Sequence, residues 1–171
     1  SDASVIERGA DIGITYFDTA RGYQQGNNER MVGAALKQHR KNLVLSTKTQ
    51  AKDKATAMQH LETSLKELGT DYVDIWYLHA RSSMDQVTDE LIDAQQTARQ
   101  QGKIRFAGVS THQNQAELIP ALVKTGKMDV ILVAYNFTLD PKIGKAIATA
   151  AKAGVGIVGM KVMAGGFRTL R

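Results

Sequence analysis

Short apolar segments rich in β-branched and aromatic residues alternate along the chain with longer segments of mixed polarity. Between the apolar segments, apolar residues recur at helical spacing, which predicts helices near 2–11, 28–39, 54–68, 86–101, 114–125 and 141–153. Regular alternation of strand and helix favours a parallel sheet with right-handed crossovers. The six predicted strands are Ile14–Asp18, Leu43–Lys48, Val73–His79, Ile104–Ser110, Val130–Tyr135 and Gly156–Lys161.

Glycine and proline support most of these boundaries. Gly69, Gly102, Gly126 and Gly154 follow predicted helices at positions where a left-handed helix end is favoured. Asp140 and Pro141 form a typical helix start. Pro120 falls inside the fifth predicted helix, where proline disfavours an uninterrupted helix.

An alternating α/β chain can form an open doubly wound sheet or a closed barrel. The doubly wound sheet predicts a glycine-rich turn after its first strand, but here the first strand ends in Asp18, Thr19 and Ala20. The barrel predicts functional residues at the carboxyl ends of several strands. Because this chain has that second feature, we expect part of a (β/α)8 TIM barrel with about six parallel strands.

Four polar residues lie at or just after the ends of the first three predicted strands. Asp18, Lys48 and His79 end these strands, and Tyr23 lies in the loop after the first. Alone, each has an ordinary explanation as a capping, solvated or semi-buried residue. Together they would meet at one end of a barrel. Alternate side chains of a strand share a face. Tyr16 therefore shares a face with Asp18, Ser46 with Lys48, and Tyr77 with His79.

The chemistry of these residue types is mutually consistent. A buried lysine requires a partner charge, which Asp18 would supply to Lys48. A cation near Tyr23 favours its phenolate, and that property suits a general acid. His79 would donate a hydrogen bond to a carbonyl oxygen. The group would therefore deliver a proton to an oxyanion formed by hydride attack.

Composition narrows the classes of function. The 171 residues contain no cysteine, carry a net charge of +5 and are 43% hydrophobic. Basic residues are scattered, which argues against nucleic-acid binding, while a mild positive charge suits a cofactor that carries phosphate. No apolar segment is long enough for a membrane helix, and the first 20 residues do not resemble a signal peptide. We expect a cytoplasmic protein, although an exported form stays open, as does the oligomeric state.

Several motifs resemble the aldo-keto reductase family, in particular its bacterial branch. The segment Gly13–Leu36 resembles the family signature, and Ser46–Lys48 resembles its lysine strand. Leu61–His79 is similar to the third helix and the histidine strand, and Gly102–Ser110 to the next strand. Gly154–Gly166 resembles a later strand. The resemblance covers the whole chain, 1–171, as one partial barrel domain running from the first helix to the seventh strand.

The resemblance implies an NAD(P)H-dependent reduction of aldehydes or ketones. Tyr23 would be the proton donor, Lys48 the cation that activates it, Asp18 the partner of Lys48, and His79 the group that orients the carbonyl. The expected cofactor is NADPH, with NAD also possible. The resemblance places the nicotinamide contacts at Ser110, Thr111, Met160 and Lys161, and it implies no metal.

The chain departs from the family pattern at several positions. Gln24 replaces the usual glycine after the tyrosine, and Thr111 replaces an asparagine. Leu132 stands where glutamine is common, and Met160, next to Lys161, replaces the tyrosine that stacks on nicotinamide. An alternative function therefore remains, namely that of a regulatory subunit which binds nicotinamide without catalysis. A non-catalytic scaffold is a third possibility.

Overall fold

The computed structural model describes residues 3–164, in which six helices and six strands alternate. Short 3-10 helices lie at Tyr23–Gly26, Arg40–Asn42 and Met84–Gln86. The strands are β1 (Tyr16–Asp18), β2 (Val44–Thr49), β3 (Val73–Leu78), β4 (Ile104–Thr111), β5 (Val130–Ala134) and β6 (Gly156–Met160). The helices are α1 (Ala3–Asp11), α2 (Asn27–Leu36), α3 (Lys54–Leu68), α4 (Asp89–Gln100), α5 (Gln115–Lys124) and α6 (Pro141–Lys152).

The largest differences from the sequence expectations are in two helices: α2 ends at Leu36 rather than at 39, and α4 begins at Asp89 rather than at 86. Strand ends differ by no more than two residues. β1 begins at Tyr16 rather than Ile14, because the Ile14 amide donates to the Gly9 carbonyl at 2.9 Å and so belongs to the end of α1. β6 ends at Met160 because Lys161 adopts a positive φ of 56°. The last two glycines of the Gly154–Gly166 motif lie outside the described residues.

The chain divides into two compact units, Ser1–His79 with Asp89–Ala107 and Ala80–Thr88 with Gly108–Arg171. In the first unit β1, β2 and β3 are parallel neighbours in that order. In the second unit β5 pairs in parallel with both β4 and β6. Within each unit the strands therefore follow the order of the sequence. The interpretation of 1–171 as one partial domain stays a prediction.

The core of the first unit depends on close packing between α2 and α3. Leu61, Leu65 and Leu68, the apolar stripe of α3, are buried. A Cβ atom added to Gly33 would lie 2.3 Å from the Leu68 carbonyl oxygen. Only glycine therefore permits this approach of the two helices, and helices contact so closely where small residues face each other.

The amino ends of β2 and β3 are joined by a buried carboxylate. Asp74 is 1% exposed and accepts a hydrogen bond from the Leu45 amide at 2.9 Å. Arg40 and Arg105 form ion pairs with its two oxygens at 2.9 and 2.7 Å. Arg40 also lies 4.1 Å from the centre of the Tyr72 ring. We call these residues the Asp74 cluster, and they stabilise the end of the strands opposite Lys48.

The second unit confirms the predicted start of α6 and shows how α5 accommodates its proline. Asp140 caps α6 by accepting from the Lys142 amide at 2.8 Å, with Pro141 in the first turn. α5 continues through Pro120 from Gln115 to Lys124, so proline does not end this helix. Within residues 3–164, no helix has the length and apolar character needed to cross a membrane.

Candidate active site

An ion pair between a buried lysine and a more exposed aspartate joins the ends of β1 and β2. Lys48 is 2% exposed, and its ammonium group is paired with the Asp18 carboxylate, whose side chain is 29% exposed. Lys48 also donates to the Thr19 carbonyl at 2.7 Å. Removing an ammonium group from water is costly unless opposite charge and hydrogen bonds replace the water. Here both replacements come from the strand end and loop next to Lys48.

The loop after β1 brings Tyr23 next to this pair. The Arg21 amide donates to the Lys48 carbonyl at 3.1 Å, and the Tyr23 amide donates to the Ala20 carbonyl at 3.0 Å. The Lys48 Nζ atom lies 5.0 Å from the centre of the Tyr23 ring. Because Tyr23 is 42% exposed, its phenol can meet a small molecule from solvent while the lysine stays buried.

His79 completes the group from the end of β3. Its amide donates to the Thr49 carbonyl at 2.8 Å, which fixes the backbone directly after the strand. Its half-buried ring lies 5.7 Å from that of Tyr23, centre to centre, with an interplanar angle of 79°. The structure therefore brings together all four side chains that the sequence singled out at these strand ends.

The backbone beside Tyr23 adopts an unusual conformation. Gln24 and Gln25 have φ values of 50° and 54°, in the left-handed region, which side chains other than glycine enter at a cost. Gly26 follows with φ 88°, and a Cβ atom there would lie 1.5 Å from a terminal nitrogen of Arg21. The glycine that the family has at position 24 fits this geometry, and the glutamine here holds the same geometry under strain.

A second ion pair supports the same loop. Glu29 is fully buried and pairs with Arg21 at 2.7 Å, and the Thr47 hydroxyl donates to its other oxygen at 2.6 Å. Thr19 donates to the Asn28 side chain at 2.7 Å. Sequence reasoning missed this network. Its signal in the sequence was the adjacent Asn28 and Glu29 within the segment Gly13–Leu36, but a sequence does not show which side chains are buried.

A series of hydroxyl groups leads away from Asp18 across the first three strands. Ser46 Oγ lies 2.5 Å from Asp18 Oδ1 and 3.0 Å from the Tyr16 hydroxyl. The Tyr16 hydroxyl lies 3.1 Å from that of Tyr77. Burial raises the pKa of both phenols above the ordinary value of 10.0. The alternation of strand side chains predicted the shared face, but not these hydrogen bonds.

The four residues expected to bind the cofactor lie in the second unit. Ser110 and Thr111 are buried at the end of β4. The Ser110 hydroxyl accepts from the Ala80 amide at 2.8 Å, and Thr111 donates to the Gln113 carbonyl at 3.0 Å. Met160 ends β6 half-buried, and the exposed Lys161 follows it.

A cavity lies next to these residues in the second unit. It has a volume of about 240 Å³ and is lined by His112, Asn136, Thr138 and Lys161, among others. The Asn136 amide donates to the Lys161 carbonyl at 3.1 Å, which holds the chain after β6 at the cavity wall. Across residues 3–164, no group of three or more acidic, histidine or cysteine side chains is arranged to hold a metal ion.

Comparison with known proteins shows the family of this chain. The model of the family described as "Aldo/keto reductase family" matches residues 2–171. The chain belongs to the aldo/keto reductase family. The uncharacterized oxidoreductase YqkF of Bacillus subtilis is 31% identical over 148 residues, which are 80% of this chain and 47% of that protein. This chain spans about half the length of the curated relatives it matches.

Solved structures of aldo-keto reductases have the same fold. The aldo-keto reductase AKR11C1 from Bacillus halodurans, in its holo form, matches with a TM-score of 0.86 and 31% identity, over 99% of this chain and 59% of that one. An aldo/keto reductase from Klebsiella pneumoniae in complex with NADP and acetate matches with a TM-score of 0.81 and 27% identity, over 94% and 57%. The six strands and their helices are thus part of the (β/α)8 barrel of this family.

Proposed function

We propose that the intact protein transfers a hydride from a nicotinamide cofactor to the carbonyl carbon of an aldehyde or ketone. The observation that carries the proposal is the buried Lys48, which is paired with Asp18 and lies next to the exposed Tyr23 ring. A buried cation beside an exposed phenol is unusual as a purely structural arrangement, since strongly desolvated charges concentrate at functional sites.

Tyr23 is the proton donor in this proposal. As the carbonyl oxygen gains negative charge, the phenol transfers its proton to that oxygen and becomes a phenolate. The Lys48 ammonium, 5.0 Å from the ring centre, stabilises this anion through its charge. Asp18 pairs with the Lys48 ammonium and fixes its position, so the cation is in place before the proton moves.

His79 orients the substrate in this proposal. Its ring meets the Tyr23 ring nearly at a right angle, and an imidazole N–H can donate a hydrogen bond to the same carbonyl oxygen. Such a donor polarises the carbonyl and holds its carbon toward the hydride donor. Tyr23 and His79 would then share the oxygen as it becomes an alcohol.

The hydroxyl residues of β4 fit a nicotinamide carboxamide. When bound, the cofactor supplies the hydride. Ser110 accepts from the Ala80 amide, so its own proton is available for a carboxamide oxygen, and the Thr111 oxygen can accept from the carboxamide nitrogen. Met160 offers an apolar surface, and Lys161 offers a cation for a phosphate. NADPH is the proposed cofactor, because the Klebsiella pneumoniae structure contains NADP and this chain has a net charge of +5.

Substitution of Tyr23 by phenylalanine tests the proposal. In the intact protein, Tyr23→Phe removes the proton donor and keeps the ring, so kcat should fall by about 10²–10⁴-fold. The affinity for NADPH, measured by quenching of protein fluorescence, should not change. The probe is para-nitrobenzaldehyde, an electron-poor aldehyde that accepts hydride readily, and NADPH oxidation is followed by absorbance.

Tyr72→Phe is the matched control, because Tyr72 stacks on Arg40 through its ring and should keep its wild-type kcat. Wild-type kcat in Tyr23→Phe, with hydride transfer shown to be rate-limiting by a deuterated cofactor, would remove Tyr23 from the mechanism. Tight NADPH binding without turnover of any aldehyde or ketone would instead favour the regulatory alternative.

A further inference from the structure

Three hydroxyl groups form a continuous chain that ends on the Asp18 carboxylate. Tyr77 contacts Tyr16 at 3.1 Å, Tyr16 contacts Ser46 at 3.0 Å, and Ser46 contacts Asp18 at 2.5 Å. Ser46 and Tyr77 have no exposed surface, and Tyr16 is half-buried. All four residues come from β1, β2 and β3, so the chain of hydroxyls crosses three strands of the first unit.

The carboxylate decides the direction of every hydrogen bond in this chain. Asp18 is ionised beside Lys48 and can only accept, so Ser46 donates its single proton to Asp18. The competing acceptor for Ser46 is the Phe17 carbonyl, at the much longer distance of 3.5 Å. With that proton committed, the Ser46 oxygen accepts from Tyr16. The Tyr16 oxygen then accepts from Tyr77.

We infer that Ser46, supported by Tyr16 and Tyr77, is a positioning residue that holds Asp18 as the counter-ion of Lys48. This inference rests on the proposed function. Ser46 binds Oδ1 of Asp18, which directs Oδ2 toward Lys48. The Lys48 ammonium is thereby fixed next to the Tyr23 ring. Each hydroxyl polarises the next, so the chain strengthens the final bond to Asp18.

The chain is a fixed set of donors rather than a route for protons. It ends at Tyr77, which is fully buried, so it does not connect Asp18 with solvent through that residue. Burial also raises the pKa of both Tyr16 and Tyr77 above the ordinary value of a phenol, which favours their role as donors in this chain of hydrogen bonds.

Variants of Ser46 in the intact protein test the inference. Ser46→Thr and Ser46→Val add the same bulk in the same buried space, but only threonine keeps the hydroxyl. Because a hydrogen bond to a charged group is stronger than a neutral one, kcat should be about tenfold lower in Ser46→Val than in Ser46→Thr. NADPH affinity should be equal in the two variants. Ser64→Ala, a buried serine substitution on α3, should keep the wild-type kcat.

The tyrosines should show a graded effect. Tyr16→Phe removes the hydrogen-bond donor to Ser46. It should lower kcat, but by less than the about tenfold difference expected between Ser46→Val and Ser46→Thr. Tyr77→Phe, one bond further away, should have the smallest effect. Equal kcat values for Ser46→Thr and Ser46→Val would overturn the inference, as would a larger loss in Tyr77→Phe than in Tyr16→Phe.

The Asp18→Asn background separates this inference from the proposed function. If Ser46 acts through the Asp18 carboxylate, the difference in kcat between Ser46→Thr and Ser46→Val should disappear when residue 18 is asparagine, because the effects of coupled sites are not additive. A difference that persists unchanged would overturn the inference. If Asp18→Asn alone leaves kcat at the wild-type value, the proposed role of Asp18 fails. If Asp18→Asn lowers kcat but Ser46→Thr and Ser46→Val have equal kcat values in the protein with Asp18, only the proposed role of Ser46 fails.

Discussion

Gln24 has a backbone conformation that its side chain disfavours. Its φ of 50° lies in the left-handed region, and the neighbouring Tyr23 depends on the same turn for its position beside Lys48. The sequence showed that this position departs from the family pattern, in which glycine is usual. It did not show the cost, because the backbone angle follows from the contacts of the whole loop.

Replacing Gln24 with glycine should relieve this strain. A left-handed residue with a side chain costs about 1–2 kcal/mol, whereas glycine loses about 0.5–1 kcal/mol through the greater freedom of the unfolded chain. Gln24→Gly should therefore raise the free energy of unfolding by up to about 1 kcal/mol. Urea denaturation followed by circular dichroism measures the change.

Gln59→Gly is the control for this substitution, since Gln59 lies within α3. In an ordinary helix the same replacement should lower the free energy of unfolding by about 1 kcal/mol. If Gln24→Gly and Gln59→Gly lower the free energy of unfolding by equal amounts, Gln24 is not strained.

The residues of the proposed site were partly predictable. Alternation along the strands placed Asp18 and Lys48 at strand ends on defined faces, and these two residues form an ion pair. The burial of Glu29 and its pairing with Arg21 were not predictable. Both depend on how the loop after β1 folds back over β2, and loop paths leave no periodic pattern in a sequence.

Contact between α2 and α3 depends on a single glycine. A methyl group on Gly33 would meet the Leu68 carbonyl at 2.3 Å, so the backbones would have to move apart. Gly33→Ala should lower the free energy of unfolding by about 1–3 kcal/mol, as overpacked cores do. Thermal melting of the purified variant measures this loss.

Gly9 provides the matched control in α1. An added Cβ atom there would lie 3.5 Å from the Ile14 side chain, an ordinary contact distance. Gly9→Ala should therefore raise the free energy of unfolding by about 0.5–1 kcal/mol, since alanine favours helices over glycine. If both substitutions shift the melting temperature in the same direction, packing at Gly33 does not decide the result.

At the scale of helices and strands, the sequence predicted which elements are present better than where they end. The six strands and six helices follow the predicted order. The start of β1 was wrong because the Ile14 amide bonds to the end of α1, and this capping bond outweighs the β-branched side chain. Pro120 removes only one amide donor from α5, and the helix continues through it in contact with α6.

The charge of the whole chain bears on cofactor choice. It contains 22 lysine and arginine residues against 17 acidic ones, and this net positive segment would favour a ligand that carries phosphate. NADPH carries one more phosphate than NADH. Its binding should therefore gain more from this charge, and should lose more when salt screens it.

Raising KCl from about 0.05 to about 0.5 M, which shortens the screening length, should increase the Kd of the intact protein for NADPH more than the Kd for NADH. Fluorescence titration with each cofactor gives both values, and NADH is the internal control. If the Kd values for NADPH and NADH increase by the same factor, the charge on this protein does not favour binding of the additional phosphate.

The Asp74 cluster has a consequence for engineering. In this cluster, two arginines and a peptide amide bind Asp74 at the amino ends of β2 and β3. Tyr23 and His79, in contrast, follow the carboxyl ends of β1 and β3. The residues that stabilise the strands and the residues of the proposed active site therefore lie at opposite ends of the sheet. Libraries that randomise loop residues after β1 and β3, but keep Tyr23, Arg21 and His79, are expected to vary the substrate preference of the proposed enzyme while the Asp74 cluster stays intact. Randomising Arg40 or Asp74 would instead remove most members of a library before any activity is screened.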